Sequence, residues 1–105
     1  MISTKTILVT TSALDPNRGD FEVKLMRELG RIPSQEWSTR EDRLMEDALA
    51  HGELYHMTIE QHENFVRYIT DLGDPDSKIT VNLPKGIDEN KAIEAVQLLA
   101  EGLFQ

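Results

Sequence analysis

Residues 53–72 read Glu53-Leu54-Tyr55-His56-Met57-Thr58-Ile59-Glu60-Gln61-His62-Glu63-Asn64-Phe65-Val66-Arg67-Tyr68-Ile69-Thr70-Asp71-Leu72, and the assignment of this stretch decides the fold. Residues 53–58 suit either a short strand or a link between helices. From Ile59 onward, Ile59, His62, Phe65, Val66, Ile69 and Leu72 fall on one stripe at helical spacing, which predicts a helix over Ile59–Leu72. Gly73-Asp74-Pro75-Asp76 then closes it with a strong turn signal.

The flanks are clearer. On the C-terminal side, Ile79, Val81 and Leu83 alternate with Lys78, Thr80 and Asn82, the pattern of a half-buried strand at an edge or with one solvated face. Pro84-Lys85-Gly86-Ile87 turns the chain into Asp88, an N-cap, with Glu89 in the first turn of a last helix. That helix carries Ala92, Ile93, Ala95, Val96, Leu99, Ala100 and Leu103. On the N-terminal side, Thr6–Thr11 is β-branched except for Leu8 and predicts a strand, followed by the turn Leu14-Asp15-Pro16-Asn17-Arg18-Gly19. Asp20 is placed to cap a first helix with Phe21, Leu25, Met26 and Leu29 inward and Gly30 as its stop. Ser38 and Glu41 have capping-box spacing for a second helix, whose inward face is Leu44, Met45, Ala48 and Leu49 and which Gly52 ends.

The order is therefore βααβαβα, or βαααβα if residues 53–58 are a link. Helices between strands favour an α/β (or α+β) architecture. Two to three strands then form a small mixed or parallel sheet covered by four helices, in one domain over residues 1–105.

With 105 residues the chain is long enough to bury a core without staples, and it contains no cysteine. Disulfides, thiolate metal sites and a Cys nucleophile are thereby excluded. No long apolar run suggests a signal peptide or membrane span, so the default compartment is the cytoplasm and no membrane partner is expected. No nucleophile elbow, phosphate loop or dinucleotide fingerprint occurs, which favours a non-enzymatic role with no cofactor.

The net charge of −8 is unevenly placed: residues 1–35 carry +1, residues 36–76 carry −8 and residues 77–105 carry −1. The acidic middle is either a solvated face or a surface that steers a basic partner. In the first helix Lys24, Arg27 and Arg31 share one exposed stripe, with Arg27 and Arg31 near the C-terminus where the helix dipole favours cations. The stretch Arg27-Glu28-Leu29-Gly30-Arg31-Ile32-Pro33-Ser34 is similar to the connector of helix-turn-helix proteins. The helix after it, however, would offer Glu41, Asp42, Glu46 and Asp47 to phosphates, so nucleic-acid binding is disfavoured.

Three candidate sites follow. Trp37 stands in a loop before a helix cap, either as a lid over the first two helices or as an interface anchor. With Arg40, Arg43, Asp42 and Glu46 it forms the candidate protein-binding surface. Ser12, Asp15, Asn17 and Arg18 lie in the loop after the first strand, where open α/β sheets bind ligands, and form a candidate ligand loop. His51, His56 and His62 accompany Glu53, Glu60 and Glu63. Their spacing is not that of a metalloprotease helix, so no metal is expected. Two have a structural use instead: His51 bonds terminal carbonyls of its helix, and His62 lies on an apolar stripe. Phe104 either docks the last helix or is offered to a second copy in a homodimer. The reading is a small interaction or regulatory module, with a ligand-binding protein or enzyme built on the Ser12–Asp20 loop, and a dimeric nucleic-acid regulator, as alternatives.

Overall fold

The computed structural model describes residues 2–11, 14–71 and 78–103. Strand β1 (Ser3–Thr10) is followed by helices α1 (Asp20–Leu29) and α2 (Thr39–Ala50), with a single 3-10 turn at Ser34–Glu36 between them. Strands β2 (Leu54–Gln61), β3 (Phe65–Asp71) and β4 (Lys78–Pro84) come next, and α3 (Glu89–Leu103) ends the described chain. The strands lie in the order β1-β2-β3-β4. The sheet is antiparallel, with β2–β3 and β3–β4 paired in register.

This corrects the expected architecture. Among the described residues the order is βααβββα, with four antiparallel strands and three α-helices in place of two or three mixed or parallel strands under four helices. The difference lies in residues 59–72. Residues 59–61 complete β2, the chain turns at residues 62–64 and Phe65–Asp71 returns as β3, Leu72 lying outside the described residues. Five of the seven β3 residues (Phe65, Val66, Tyr68, Ile69, Thr70) are β-branched or aromatic, types that suit a pleated half-buried surface. The helical stripe was an accident of apolar residues on both sheet faces: Ile59 and Val66 are buried on one, while Phe65 and Ile69 point to the other. Antiparallel neighbours need only short turns, so no crossover helix is required between β2, β3 and β4. The turn signal at residues 73–76 lies outside the described residues.

The fold divides into two compact units, Ile7–Tyr55 and the remaining residues, with β1 and β2 contributing to both. In the second of these, register aligns Met57 with Thr70 and Ile79, and Ile59 with Tyr68 and Val81. Met57, Ile59, Tyr68 and Thr70 are buried, as are Ala92, Ile93, Val96 and Ala100 of α3, which packs on β3 and β4. β4 is an edge strand, as its alternation predicts. On the other face His62 stacks on Phe65 with ring centroids 4.5 Å apart, and the Arg67 guanidinium lies 5.3 Å from the Phe65 centroid.

In the unit Ile7–Tyr55, the core is Leu8, Met26, Leu29, Met45, Ala48 and Leu54, with Leu14, Leu25, Trp37, Leu44 and Leu49 packed around it. The α2 cap is the expected capping box: the Glu41 N–H donates to Ser38 Oγ and the Ser38 N–H donates to Glu41 Oε1. Ser38→Ala is expected to lower stability by about 1 kcal/mol in urea denaturation, the ordinary worth of such a cap. Gly52, at φ 71°, supplies the left-handed residue that ends α2. The α1 start differs from expectation. Gly19 holds the cap position, without a side-chain bond, and Asp20 is already helical. The α1 stop is a glycine for a different reason. Gly30 is right-handed, at φ −63°, but the Leu8 N–H donates to its carbonyl at 3.0 Å and a β-carbon there would lie 2.3 Å from Leu8 O.

No described helix is long and apolar enough to cross a membrane.

Candidate functional site

Two features of the unit Ile7–Tyr55 gather the sequence candidates. The first is built on Arg18. The turn at residues 15–18 is held by the Asn17 N–H donating to Asp15 Oδ1 and the Arg18 N–H donating to Asp15 O. It delivers the guanidinium to Glu53, which follows α2 directly. Arg18 Nε donates to Glu53 Oε2 at 2.9 Å and Nη2 to Glu53 Oε1 at 2.8 Å, a two-pronged pair. Nη1 reaches Glu22 Oε2 at 2.9 Å, and Nη2 also reaches Asp47 Oδ2 at 2.8 Å. The Asp15 N–H adds a further bond to Glu53 Oε2.

Glu53 is only 2% exposed, so its charge is removed from water and rests on these donors. The Arg18 hydrogen bonds hold its carboxyl below the usual range against the opposing effect of burial, with the Asp15 N–H assisting. Glu53 and Glu22 raise the Arg18 guanidinium well above its ordinary value. His51 is raised above the usual imidazole value, first by its bond to the Asp47 carbonyl and then by the Asp47 charge. That bond, Nδ1 to Asp47 O at 2.8 Å, is the helix-terminal use expected of His51.

Asp15, Asn17, Arg18, Glu22, Asp47, His51 and Glu53 line a small recess of about 130 Å³. It contains three of the four expected ligand-loop residues, and Ser12 lies outside the described residues. Ligand-type atoms of Asp47, His51 and Glu53 lie within 4.8 Å of one another. Arg18 already supplies the positive charge there, occupying both Glu53 oxygens and one of Asp47. A metal cation would have to displace it, and an anion would have to compete with three carboxylates. The arrangement works as an ion-pair staple of the loop, α1 and the end of α2.

His56 and His62 do not join each other. Six residues of extended chain separate them by about 20 Å, and His62 Nε2 is 2.8 Å from Glu60 Oε1.

The second feature is the groove between α1 and α2, about 520 Å³ in volume, lined by Phe21, Glu22, Leu25, Ser38, Arg40, Glu41 and Leu44. It follows from a mismatch on α1. Met26 and Leu29 enter the core and Leu25 is half-buried, whereas Phe21, expected to face inward, is 79% exposed. The helix offers a wider apolar stripe than its own core covers, because Phe21 lies one turn ahead of Leu25 on its outer side.

Of the expected protein-binding residues, Arg40 lines the groove, and Arg43 and Glu46 are exposed while Asp42 is half-buried. Trp37 packs against the core, and its indole Nε1 donates to Leu29 O at 3.0 Å, closing the α1–α2 corner. The basic stripe on α1 is partly committed inside the unit: Arg31 Nη1 donates to Leu8 O at 3.1 Å and Arg27 Nε approaches Thr10 Oγ1 at 3.4 Å. The acidic stretch is likewise smaller than its sequence charge, since Asp47 and Glu53 both pair with Arg18. Phe104 lies outside the described residues. The exposed Phe21 could not be anticipated from periodicity, which places it with Leu25 and Leu29.

Comparison with protein-family models, with curated proteins and with solved structures gave no match.

Proposed function

We propose that the protein is a small non-catalytic interaction module whose contact surface is the α1–α2 groove. The observation that carries this reading is Phe21, 79% exposed at the mouth of a groove floored by Leu25 and Leu44. A scattered exposed apolar residue needs no explanation, but Phe is among the residue types enriched in protein interfaces, and here it stands at a concave apolar site. Arg40, in the same lining, is of another type enriched in interfaces. Paired amphipathic helices with an apolar cleft between them are a common receptor for a partner's helix. The Ser12–Asp20 loop is the weaker candidate, because its single cation is fully engaged by Glu22, Asp47 and Glu53.

Affinity capture on immobilised protein tests the reading, with Phe21→Asp as the groove variant and Leu98→Asp as the control on another exposed apolar residue. Leu98 is 72% exposed on α3, so neither change disturbs a core. At least one protein is expected to be retained by the wild type and by Leu98→Asp and lost from Phe21→Asp. Equal recovery of every captured protein by the wild type and Phe21→Asp would overturn the reading.

A further inference from the structure

The sheet has two edge strands, β1 and β4, and they are finished differently. On β1 the main-chain groups of Leu8 are taken by the end of α1 and the residue after it: the Leu8 N–H donates to Gly30 O, and its carbonyl accepts from Arg31 Nη1. On β4, among the described residues, no main-chain group of Lys78–Pro84 bonds to anything but β3. The residues that commonly blunt a free edge, Lys78 and Pro84, stand only at its two ends. Ile79–Leu83 between them contains no charge, proline or glycine, and its register with β3 runs without a bulge. A row of unpaired donors and acceptors on such an edge is a template for another strand.

The uncovered surface has a second layer. Ile79, Val81 and Leu83 share the face on which α3 packs, yet they are only half-buried because no strand lies beyond β4. α3 is seated on β3 and β4, so one of its flanks overhangs the edge. Exposure identifies that flank. Ala95 and Leu99 are exposed, Leu99 to 51%, whereas Ile93 and Gln97 on the opposite side are buried and half-buried. An isolated strand from another protein would satisfy β4 and leave the helix flank in water. A second copy of this chain covers both.

We infer that the protein forms a two-fold homodimer in which the β4 strands pair antiparallel and the Ala95–Leu99 flanks of the two α3 helices pack above the junction. The strand is self-complementary. A two-fold axis at Val81 sets Val81 opposite its own copy and Ile79 opposite Leu83 of the other chain, all on the α3 face. Thr80 then faces Asn82 on the other side of the sheet, and Lys78 faces Pro84, so no like charges are opposed. The whole-chain charge of −8 is not centred here: residues 77–105, which hold β4 and α3, sum to −1. The interface uses neither α1 nor α2 and is independent of the groove.

Sedimentation equilibrium of the full chain tests this. The wild type is expected to show a monomer–dimer equilibrium in the micromolar range. Combining Thr80→Lys with Asn82→Lys sets like charges opposite each other twice across the axis and is expected to weaken the dimer about tenfold. Combining Thr80→Lys with Asn82→Glu sets opposite charges there instead. Association is expected to return to within about threefold of the wild type, a recovery that a folding defect at these positions would not permit. Phe21→Asp leaves the dimer intact. A wild type that stays monomeric to high micromolar concentration, or a Lys/Lys variant that dimerises as well as the wild type, would overturn the β4 pairing. So would a Lys/Glu variant that recovers nothing, or a dimer lost in Phe21→Asp.

Discussion

Replacing Arg18 with Met is expected to lower the stability of the protein by about 3–5 kcal/mol, the usual cost of leaving one member of a buried ion pair without the other. Glu53 is 2% exposed and receives two of its bonds from Arg18, so the variant leaves a largely buried carboxylate without its cation and with the Asp15 N–H as its remaining donor among the described residues. Changing Glu53 to Met in the same chain removes the stranded charge and is expected to restore most of the loss, since apolar replacement of a whole pair is often close to neutral.

The sign of the pH dependence follows from the direction in which Glu53 titrates. Arg18 holds the Glu53 carboxyl below its usual value, so the folded wild type gains stability above the unfolded carboxyl pKa of about 4.3 and loses it as pH falls through the lower folded value. In Arg18→Met, burial acts without its counterweight and favours the protonated acid. The gap between the two proteins is therefore widest near neutral pH and narrows below about pH 4. Urea denaturation at neutral pH and in acid measures it. A gap that is absent at neutral pH would show that Arg18 does not staple the loop.

Gly30→Ala is expected to be the other strongly destabilising change, by about 2–3 kcal/mol. Local preference points the opposite way. Gly30 has helical dihedrals, and in such a place alanine commonly stabilises by restricting the unfolded chain. The new methyl, however, meets backbone: Leu8 O at 2.3 Å and Leu8 C at 3.1 Å. β1 and the end of α1 must separate to admit it, and the bond from the Leu8 N–H to Gly30 O is strained or lost. A variant as stable as the wild type in urea would contradict this close approach.

These two sites show what was and was not legible in the sequence. Capping and punctuation were readable because they are local: Ser38 with Glu41, Gly52 after α2, and the Lys78–Leu83 alternation all appear where short-range spacing places them. The fold class was not, because residues 59–71 have apolar side chains on both faces of a hairpin. Their turn, His62-Glu63-Asn64, contains neither Gly nor Pro to mark it. The informative signal was residue type: the β-branched and aromatic run Phe65–Thr70 favours a strand where spacing alone favours a helix.

The functional residues divide the same way. The sequence places Arg18 in a candidate ligand loop and Glu53 beside His51, His56 and His62, and nothing in it joins the two. A pairing across 35 positions has no local signature. Gly30 was identified as a helix stop although its requirement comes from Leu8, 22 residues away along the chain. Phe21 departs from its expected place and Trp37 takes one of its two. The helical stripe assigns Phe21 to the core, where it is instead exposed, while of the two readings of Trp37, a lid over the first two helices or an interface anchor, its packing on the α1–α2 core is that of the lid.

The central claim is that the α1–α2 groove is where the protein meets its partner. The most direct test is a methyl spectrum of the full chain labelled at leucine, recorded before and after addition of a protein captured in a Phe21-dependent manner. The account predicts that the Leu25 and Leu44 methyl signals shift or broaden while those of Leu98 and Leu99 on α3 stay in place. Leu25 and Leu44 signals that remain unmoved at saturating partner would contradict it.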